Sequence, residues 1–255
     1  MGRGPVVQKQ KELSAKSRGK AFTIHGKLIA IAAARGADPS ENSALAEVIY
    51  KAKKDNVPND NIDRAIKRWS GQEKGALAIE EVLYEGYGPG GVAVIVKALT
   101  DNRNRTAPNM RHIFSKCSGT LGETGSVSNF AFRFVGLITL AGALTAELEE
   151  ILIESWASDY RAISEGIEVE TEWSQFAQVK KYLTSKNIEI VSSGGEYVST
   201  NSVELTDFDK ALKVYTLVES LEEDEDVESV WHNSVIPESL STQILEHVER
   251  NRFRT

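Results

Sequence analysis

The chain has 255 residues, of which 41% are apolar, and a formal net charge of −7. This length predicts about two domains with a sizeable core, and the modest Gly and Pro content excludes wholesale disorder. Cys117 is the only cysteine, which excludes an intrachain disulfide and fits a reducing compartment. No apolar run could span a bilayer, and the opening MGRGPVVQKQK lacks the apolar centre of a signal peptide. We therefore expect a cytoplasmic protein with no membrane partner.

The charge is distributed unevenly. Residues 1–75 contain 15 Lys and Arg against 8 Asp and Glu, whereas the remainder contains 15 against 29. The first segment thus carries +7 and the rest −14, which favours a basic end that meets a polyanion and an acidic body that keeps the protein in solution. The alternative is that small helical domains are often mildly basic without a binding role.

Residues 1–75 predict a small bundle of three or four helices, since apolar residues recur at helical spacing between turn signals at Gly36 to Pro39 and at Asn56 to Pro58. A break is expected near Gly19 and Thr23. Residues 72–79 read as a linker. Two basic groups are candidate nucleic-acid contacts, although a solvated face is the alternative for the first: the lysine stripe Lys9, Lys16, Lys20 and Lys27, and the surface Arg64, Lys67 and Arg68.

A glycine-rich loop then leads into the strand Val92 to Leu99, which has apolar residues on both faces and is expected near the middle of a sheet. The loop matches G-x-G-x-x-G, but a dinucleotide site needs a helix after the glycines and here a strand follows. We interpret the glycines mainly as a turn, with close approach to RNA as the alternative. Candidate loop residues are Tyr84, Tyr87, Gly88 and Gly90; both tyrosines could stack on bases or pack the loop.

The polar run Asp101 to Arg105 follows this strand. Its candidate nucleic-acid contacts are Asn102, Arg103 and Arg105, because guanidinium forks bind phosphate well. The alternative is a salt bridge to Glu85 or Asp101. Arg111 and Lys116, on the next predicted helix, could extend the surface.

Farther along, Phe130, Phe132 and Phe134 alternate as a strand that Val135-Gly136 turns into Leu137 to Leu140. The later alternation of helix and strand patterns predicts two split βαβ units, one inserted in the other. The expected fold is α+β: an amino-terminal helical bundle followed by two ferredoxin-like α/β domains. The predicted segments are 1–75 for the bundle, 79–141 plus 204–237 for the first α/β domain, 142–203 for the inserted one and 238–255 for the tail.

Catalysis has no support in the sequence. His25, His112, His232 and His247 show no metal-ligand spacing, and neither a nucleophile elbow nor a phosphate-binding loop is present. We predict a protein that is not an enzyme and that needs no cofactor, metal or small-molecule substrate.

Three stretches resemble the YebC/PmpR family: YEGYGPGGVAVIVKALTDNRNRT at 84–106, DNVPNDNIDRAIKRWSG at 55–71 and the segment 111–126. That family includes bacterial proteins described as transcriptional regulators and a mitochondrial translational activator of cytochrome c oxidase I. The resemblance implies the same three-part layout and a role in helping stalled ribosomes without chemistry. Two departures stand out. Gly2 to Val7 stands in place of a Gly-His-Ser-Lys-Trp-like opening, and Pro108 lies where the family helix usually has no proline, although we expect it to fit the first turn of the helix here.

These observations predict a nucleic-acid-binding regulator of gene expression, with a ribosome- or RNA-associated translation factor that relieves stalled elongation as the first hypothesis. A basic bundle with a remote arginine turn suits a shaped ribonucleoprotein better than a regular groove. The alternatives are a DNA-binding transcriptional regulator, which the acidic body disfavours, and an interaction module with no nucleic-acid role.

Overall fold

The computed structural model describes residues 15–69, 78–164 and 166–252. They form a mixed α/β protein with two compact units, one of residues 128–201 and one of the described residues up to 127 and from 202 onward. The described helices are α1 Ala15–Ala33, α2 Ser43–Lys54, α3 Asn59–Trp69, α4 Arg103–Lys116, α5 Ser128–Ala131, α6 Ala146–Glu154, α7 Phe176–Ser185, α8 Phe208–Glu223 and α9 Glu238–Arg252. The described strands are β1 Glu80–Tyr87, β2 Ala93–Thr100, β3 Thr120–Leu121, β4 Phe132–Leu140, β5 Asp159–Ile163, β6 Gly166–Glu172, β7 Ile190–Ser199, β8 Val203–Glu204, β9 Val227–His232 and β10 Ser234–Val235.

Helices α1 to α3 pack around a core that includes Ile29, Leu45 and Ile62, all buried. Asn42 fixes the corner between α1 and α2: its side chain accepts the amide of Leu45 and donates to two carbonyl oxygens at the end of α1. The expected break near Gly19 and Thr23 is wrong, since α1 is continuous there. The Thr23 hydroxyl donates to the Gly19 carbonyl at 3.0 Å, inside the helix, and packing of α1 against α2 and α3 outweighs the weak helix propensity of both residues.

The same unit contains a four-stranded sheet in the order β3-β1-β2-β9. Strand β2 lies between two neighbours, and seven of its eight residues are buried, which confirms the predicted central strand. Its core is closed by α4, α8 and α9. The tail is therefore a docked helix, with Ile244 buried. Gly86 is required in β1, because a Cβ there would lie 2.6 Å from the Thr120 carbonyl oxygen.

The other unit, residues 128–201, runs β-α-β-β-α-β with strands in the antiparallel order β5-β6-β4-β7, which is the split βαβ arrangement. The predicted turn at Val135-Gly136 is wrong, because β4 passes straight through it. Gly136 is a packing glycine: a Cβ would lie 2.4 Å from the Phe176 ring. Because β4 pairs with β6 and β7, the unit begins at 128 rather than at the predicted 142.

The predicted chain order also differs in the first unit. We expected all of 79–141, including both halves of 130–140, to belong to that sheet. Instead its two inner strands, β1 and β2, are joined directly by the glycine turn, and the strand that follows α4 is the short β3. Phe130 lies in α5 and not in a strand. Aromatic alternation alone did not reveal which sheet these residues join.

Candidate nucleic-acid interface

The polar run after β2 starts helix α4. Asn102 has an extended backbone (φ −150°), and its side-chain oxygen accepts the amides of Asn104 and Arg105 at 3.0 and 3.2 Å. This is a helix N-cap, so Asn102 is held by the turn itself. The Asn102 amide donates in turn to the Thr100 hydroxyl at 2.9 Å. Pro108 is the sixth residue of α4 rather than part of its first turn, which the sequence interpretation had wrong.

Asp226, just before β9, is the centre of the polar contacts around this turn. Its carboxylate accepts hydrogen bonds from the Lys27 ammonium at 2.7 Å, the Thr106 hydroxyl at 2.8 Å and the Arg105 guanidinium at 3.0 Å. Its main-chain oxygen accepts the Leu99 amide at 2.7 Å. Helices α1 and α4 thus meet at the Asp226 side chain, which is only 12% exposed, while β2 is bonded to the main chain of the same residue.

The charge on Asp226 is stabilised in the folded protein. Burial alone would raise the pKa of the carboxyl group, but the hydrogen bonds from Lys27, Thr106 and Arg105 outweigh that effect and lower the pKa from 3.8. Opposite Asp226, the hydrogen bond and charge of the carboxylate raise the pKa of the Arg105 guanidinium further. The site therefore holds a fully ionised carboxylate at neutral pH.

The structure gives the predicted lysine stripe a different role. Lys9 lies outside the described residues, as does the side chain of Lys16. Lys27 is paired with Asp226 and also donates to the Glu225 carbonyl at 3.0 Å. Lys20 donates to the Glu222 carbonyl. The described part of the stripe thus contacts residues 222–226 of its own chain, which are five consecutive acids.

A cleft of about 870 Å³ lies beside Asp226, between the bundle and the start of α4. It brings together basic residues that the sequence analysis had placed in separate patches, namely Lys27, Arg64, Arg68 and Arg105. Arg64 and Arg68 are one helical turn apart, so they present their guanidinium groups on the same side of α3. The lining also contains four acidic residues: Asp101, Asp224, Glu225 and Asp226.

Among the other predicted contacts, Asn102, Arg103 and Lys67 do not line the cleft. Arg103 is paired with Glu80, and both side chains are more than half exposed. Arg105 is paired with Asp101 as well as Asp226, so one anticipated salt bridge is present. Glu85 instead accepts the amides of Gly125 and Val127 at 2.9 and 2.7 Å. Lys67, Arg111 and Lys116 are exposed on α3 and α4.

The glycine turn packs against its own unit. A Cβ at Gly90, which has φ +75°, would lie 2.9 Å from the Leu205 side chain, and one at Gly88 would lie 3.2 Å from Leu217. Tyr84 packs against the core. Tyr87, which is 42% exposed, donates its hydroxyl to the Ser126 carbonyl at 2.9 Å. These contacts favour the turn and loop-packing interpretations of the four residues.

Sequence reasoning missed the acidic partners of the site. Asp224, Asp226, Thr106 and Asn109 were not among the predicted site residues. Asn109 donates to Asp224, and Thr106 also contacts the Thr100 hydroxyl at 2.8 Å. The signal available in the sequence was the run of five acids at 222–226 in a chain with a basic amino-terminal segment.

Within 15–69, 78–164 and 166–252, His, Cys, Asp and Glu form no group of three placed to hold a metal ion. None of the helices described there is both long and apolar enough to cross a bilayer.

Two models of known protein families match most of this chain. Residues 5–72 match the model of the TACO1/YebC protein N-terminal domain, and residues 79–234 match that of the TACO1/YebC second and third domain. The chain belongs to the TACO1/YebC family. These matches confirm the predicted family resemblance, and together they cover most of the chain.

Individual members are similar over nearly their full length. A probable transcriptional regulatory protein of Clostridioides difficile is 42% identical, over 91% of this chain and 98% of that relative. One from Finegoldia magna is 44% identical, over 85% and 90%. The crystal structure of a conserved hypothetical protein from Aquifex aeolicus has a TM-score of 0.79 and 38% identity, and the match covers 91% of this chain and 96% of that one.

Proposed function

We propose that this TACO1/YebC-family member is a nucleic-acid-binding regulator of gene expression that associates with RNA, in particular ribosomal RNA, and influences translation without catalysing a reaction. The observation that carries the proposal is the cleft in which Lys27, Arg64, Arg68 and Arg105 converge from three helices. Guanidinium groups bind phosphate through paired hydrogen bonds. Four cations from three helices define a shaped contact rather than a diffuse basic surface.

Two of the cleft cations, Arg64 and Arg68, are exposed on α3, and Arg105 is exposed as well. Arg64 is exposed and has no ion-pair partner within the described part of the chain, whereas Lys27 and Arg105 are paired with Asp226. We therefore assign the first phosphate contacts to Arg64 and Arg68. The exposed Lys67 extends this surface, and Arg103, at the start of α4, supports it as a secondary contact.

The acidic lining of the cleft favours a single-stranded or irregular RNA over duplex DNA. A duplex carries one negative charge per about 1.7 Å of its axis, and a rigid rod that reaches Arg64 and Arg68 also approaches Asp224 and Glu225. A flexible strand can bend away from these carboxylates. Single-stranded regions are moreover the usual targets of specific RNA recognition.

The second candidate is a DNA-binding transcriptional regulator. It is favoured by the names of the relatives, which are described as probable transcriptional regulatory proteins. Helices α2 and α3 are joined by the short segment 55–58, a connection of the length found in helix-turn-helix motifs. In that case α3 would be the helix that enters the major groove.

A salt titration of binding tests both candidates. The protein is measured with ribosomes, with a fluorescent single-stranded RNA and with duplex DNA, first intact and then as Arg64→Gln with Arg68→Gln. If both arginines contact single-stranded RNA, the variant lowers the slope of log affinity against log salt by about 1.4. The matched control, Lys210→Gln with Lys213→Gln on α8, removes the same charge outside the cleft lining and should leave the slope unchanged.

The outcomes separate the candidates. Tight binding to ribosomes and RNA that depends on Arg64 and Arg68 supports the translation role. A preference for duplex DNA that the same substitutions abolish supports the transcriptional role. Equal losses for the cleft variant and the control, on every probe, would overturn the cleft as the nucleic-acid contact.

A further inference from the structure

The segment 222–226, here called the acidic turn, reads Glu-Glu-Asp-Glu-Asp and comprises the last two residues of α8 and the connection to β9. It supplies one wall of the cleft that contains Arg64 and Arg68. Five negative charges on consecutive residues repel one another, so such a run requires compensation from elsewhere in the fold. The cations of α1 provide part of that compensation.

Two lysines of α1 contact this turn at different points. Lys20 donates to the carbonyl of Glu222, and Lys27 donates to the carbonyl of Glu225 and the carboxylate of Asp226. Lys20 and Lys27 had been predicted from sequence as nucleic-acid contacts. In the structure they are occupied by a negatively charged segment of the same chain.

The acidic turn concentrates negative charge beside the two lysines. Glu222 and Glu223 are the last residues of α8, and Asp224, Glu225 and Asp226 follow directly. Five carboxylates in so short a segment offer nearby cations a dense source of negative charge, as the phosphates of a nucleic-acid strand do. Lysine does not require the fork geometry that distinguishes phosphate for arginine, so either polyanion can satisfy it.

We propose that the acidic turn is an internal competitor of the nucleic acid, holding Lys20 and Lys27 until a bound strand displaces it from them. This inference rests on the proposed function and adds its regulation: weak or incidental polyanions meet only the arginines of α3. A strand that already occupies Arg64 and Arg68 lies in the same cleft and can recruit the two lysines. This competition lowers the affinity for weak polyanions and thereby increases the selectivity for a strand that also contacts Arg64 and Arg68.

The turn is divided into a fixed part and an exchangeable part. Asp226 is fixed by Thr106 and Arg105 in addition to Lys27, and Asp224 is fixed by Asn109. The side chains of Glu222, Glu223 and Glu225 are exposed, and exposed charges contribute little to stability individually. Burial lowers the pKa of Lys20 in spite of Asp224 and Glu222 nearby, so its contact with the turn is not an optimal one.

The experiment removes only the exchangeable charges, in Glu222→Gln with Glu223→Gln and Glu225→Gln. Affinity for a fluorescent single-stranded RNA should rise by about fivefold or more, since each screened unit-charge interaction is worth up to about 1 kcal/mol. The salt slope should steepen by about 0.7 as Lys20 becomes available, because Lys27 keeps its ion pair with Asp226. The control triple, Glu123→Gln with Glu189→Gln and Glu204→Gln, changes net charge equally at exposed sites outside the cleft lining. It should give at most a small, uniform increase.

A second substitution makes the test specific. Lys20→Gln should hardly change RNA affinity in the otherwise unaltered protein, where that lysine is occupied, but should remove a large part of the gain in the triple variant. Additive effects, or equal gains in the triple variant and its control, would overturn the competition. Thermal unfolding of each variant establishes that the fold persists.

The proposed function fails in a different way. If the intact protein does not bind RNA, or binds it independently of Arg64 and Arg68, the assignment of the cleft is wrong. If it binds through those arginines while the triple variant behaves like its control, only the competition is wrong.

Discussion

Glu85 and Asp226 are both buried carboxylates, with 2% and 9% of their surface exposed, but they are held by different kinds of partner. Glu85 accepts two main-chain amides of the loop 122–127, at Gly125 and Val127. Asp226 is held mainly by side chains, two of them cations. Main-chain amides are fixed by the fold, whereas cationic side chains can turn to another anion. The first carboxylate thus shapes a loop permanently, and the second forms a junction that a polyanion can compete for.

The largest effect is expected from Asp226→Ala, which leaves the mostly buried Lys27 ammonium without its carboxylate. Removing one partner of a buried ion pair should lower the free energy of unfolding by about 3 kcal/mol, measured by urea denaturation. Adding Lys27→Met should restore a substantial part of it, because no unpaired charge then remains. If the double variant is as unstable as the sum of the single ones, the pair is not the source of the stability.

A smaller loss is expected from Glu85→Gln. The amide side chain keeps one acceptor, but its NH₂ group replaces the second acceptor and faces an amide donor, which should cost about 2 kcal/mol. This variant should leave the salt dependence of RNA binding unchanged, because Glu85 does not line the cleft. A change in that salt dependence would contradict the distinction between the two carboxylates.

Acid should reduce the stability that Asp226 gives to the folded protein. The folded pKa of Asp226 is below 3.8, so its contribution to stability is complete above that value and is lost as the pH falls through the lower folded pKa. Asp226→Asn should therefore flatten the stability profile below about pH 4. His232 affects stability at higher pH. Burial lowers its pKa from 6.5 to about 4, so the free energy of unfolding decreases as the pH falls between those two values, because the unfolded chain takes up a proton that the folded protein does not. A profile for Asp226→Asn that is parallel to the parent in acid would contradict the assignment.

The smallest effects should come from the two arginines of the α4 turn. Arg105→Ala removes a hydrogen bond from Asp226 and should cost about 1 kcal/mol, whereas Arg103→Ala breaks an exposed pair with Glu80 and should cost less than about 0.5 kcal/mol. Thermal unfolding measures both. Equal losses would indicate that Arg105 does not contribute to the junction.

Local pattern predicted the parts of the fold that depend on local physics. The apolar residues on both faces of β2 indicated a strand with neighbours on each side, and helical spacing indicated the bundle. The course of β4 was not predictable in the same way, since Gly136 resembles a turn residue until the Phe176 ring that requires it is known. The domain boundary at 128 follows from that same strand pairing.

The candidate site was predicted as separate basic patches, and the structure brings parts of them together. Lys27 and Arg105 contact Asp226 across 199 and 121 residues of sequence. No periodicity or motif encodes a contact over such a separation. Charge type was readable at each position, but whether a cation faces solvent or an acid of its own chain depends on the tertiary fold.

The two ends of the unit of residues 128–201 lie side by side. The Thr200 amide donates to the Ala131 carbonyl at 2.9 Å, and Phe132 is paired with Ser199 across adjacent strands. A segment with its two ends side by side behaves as a cassette: it can be excised and the cut chain rejoined by a short bridge. Such a cassette can diverge in sequence, or be exchanged whole, while the residues that line the basic cleft remain untouched.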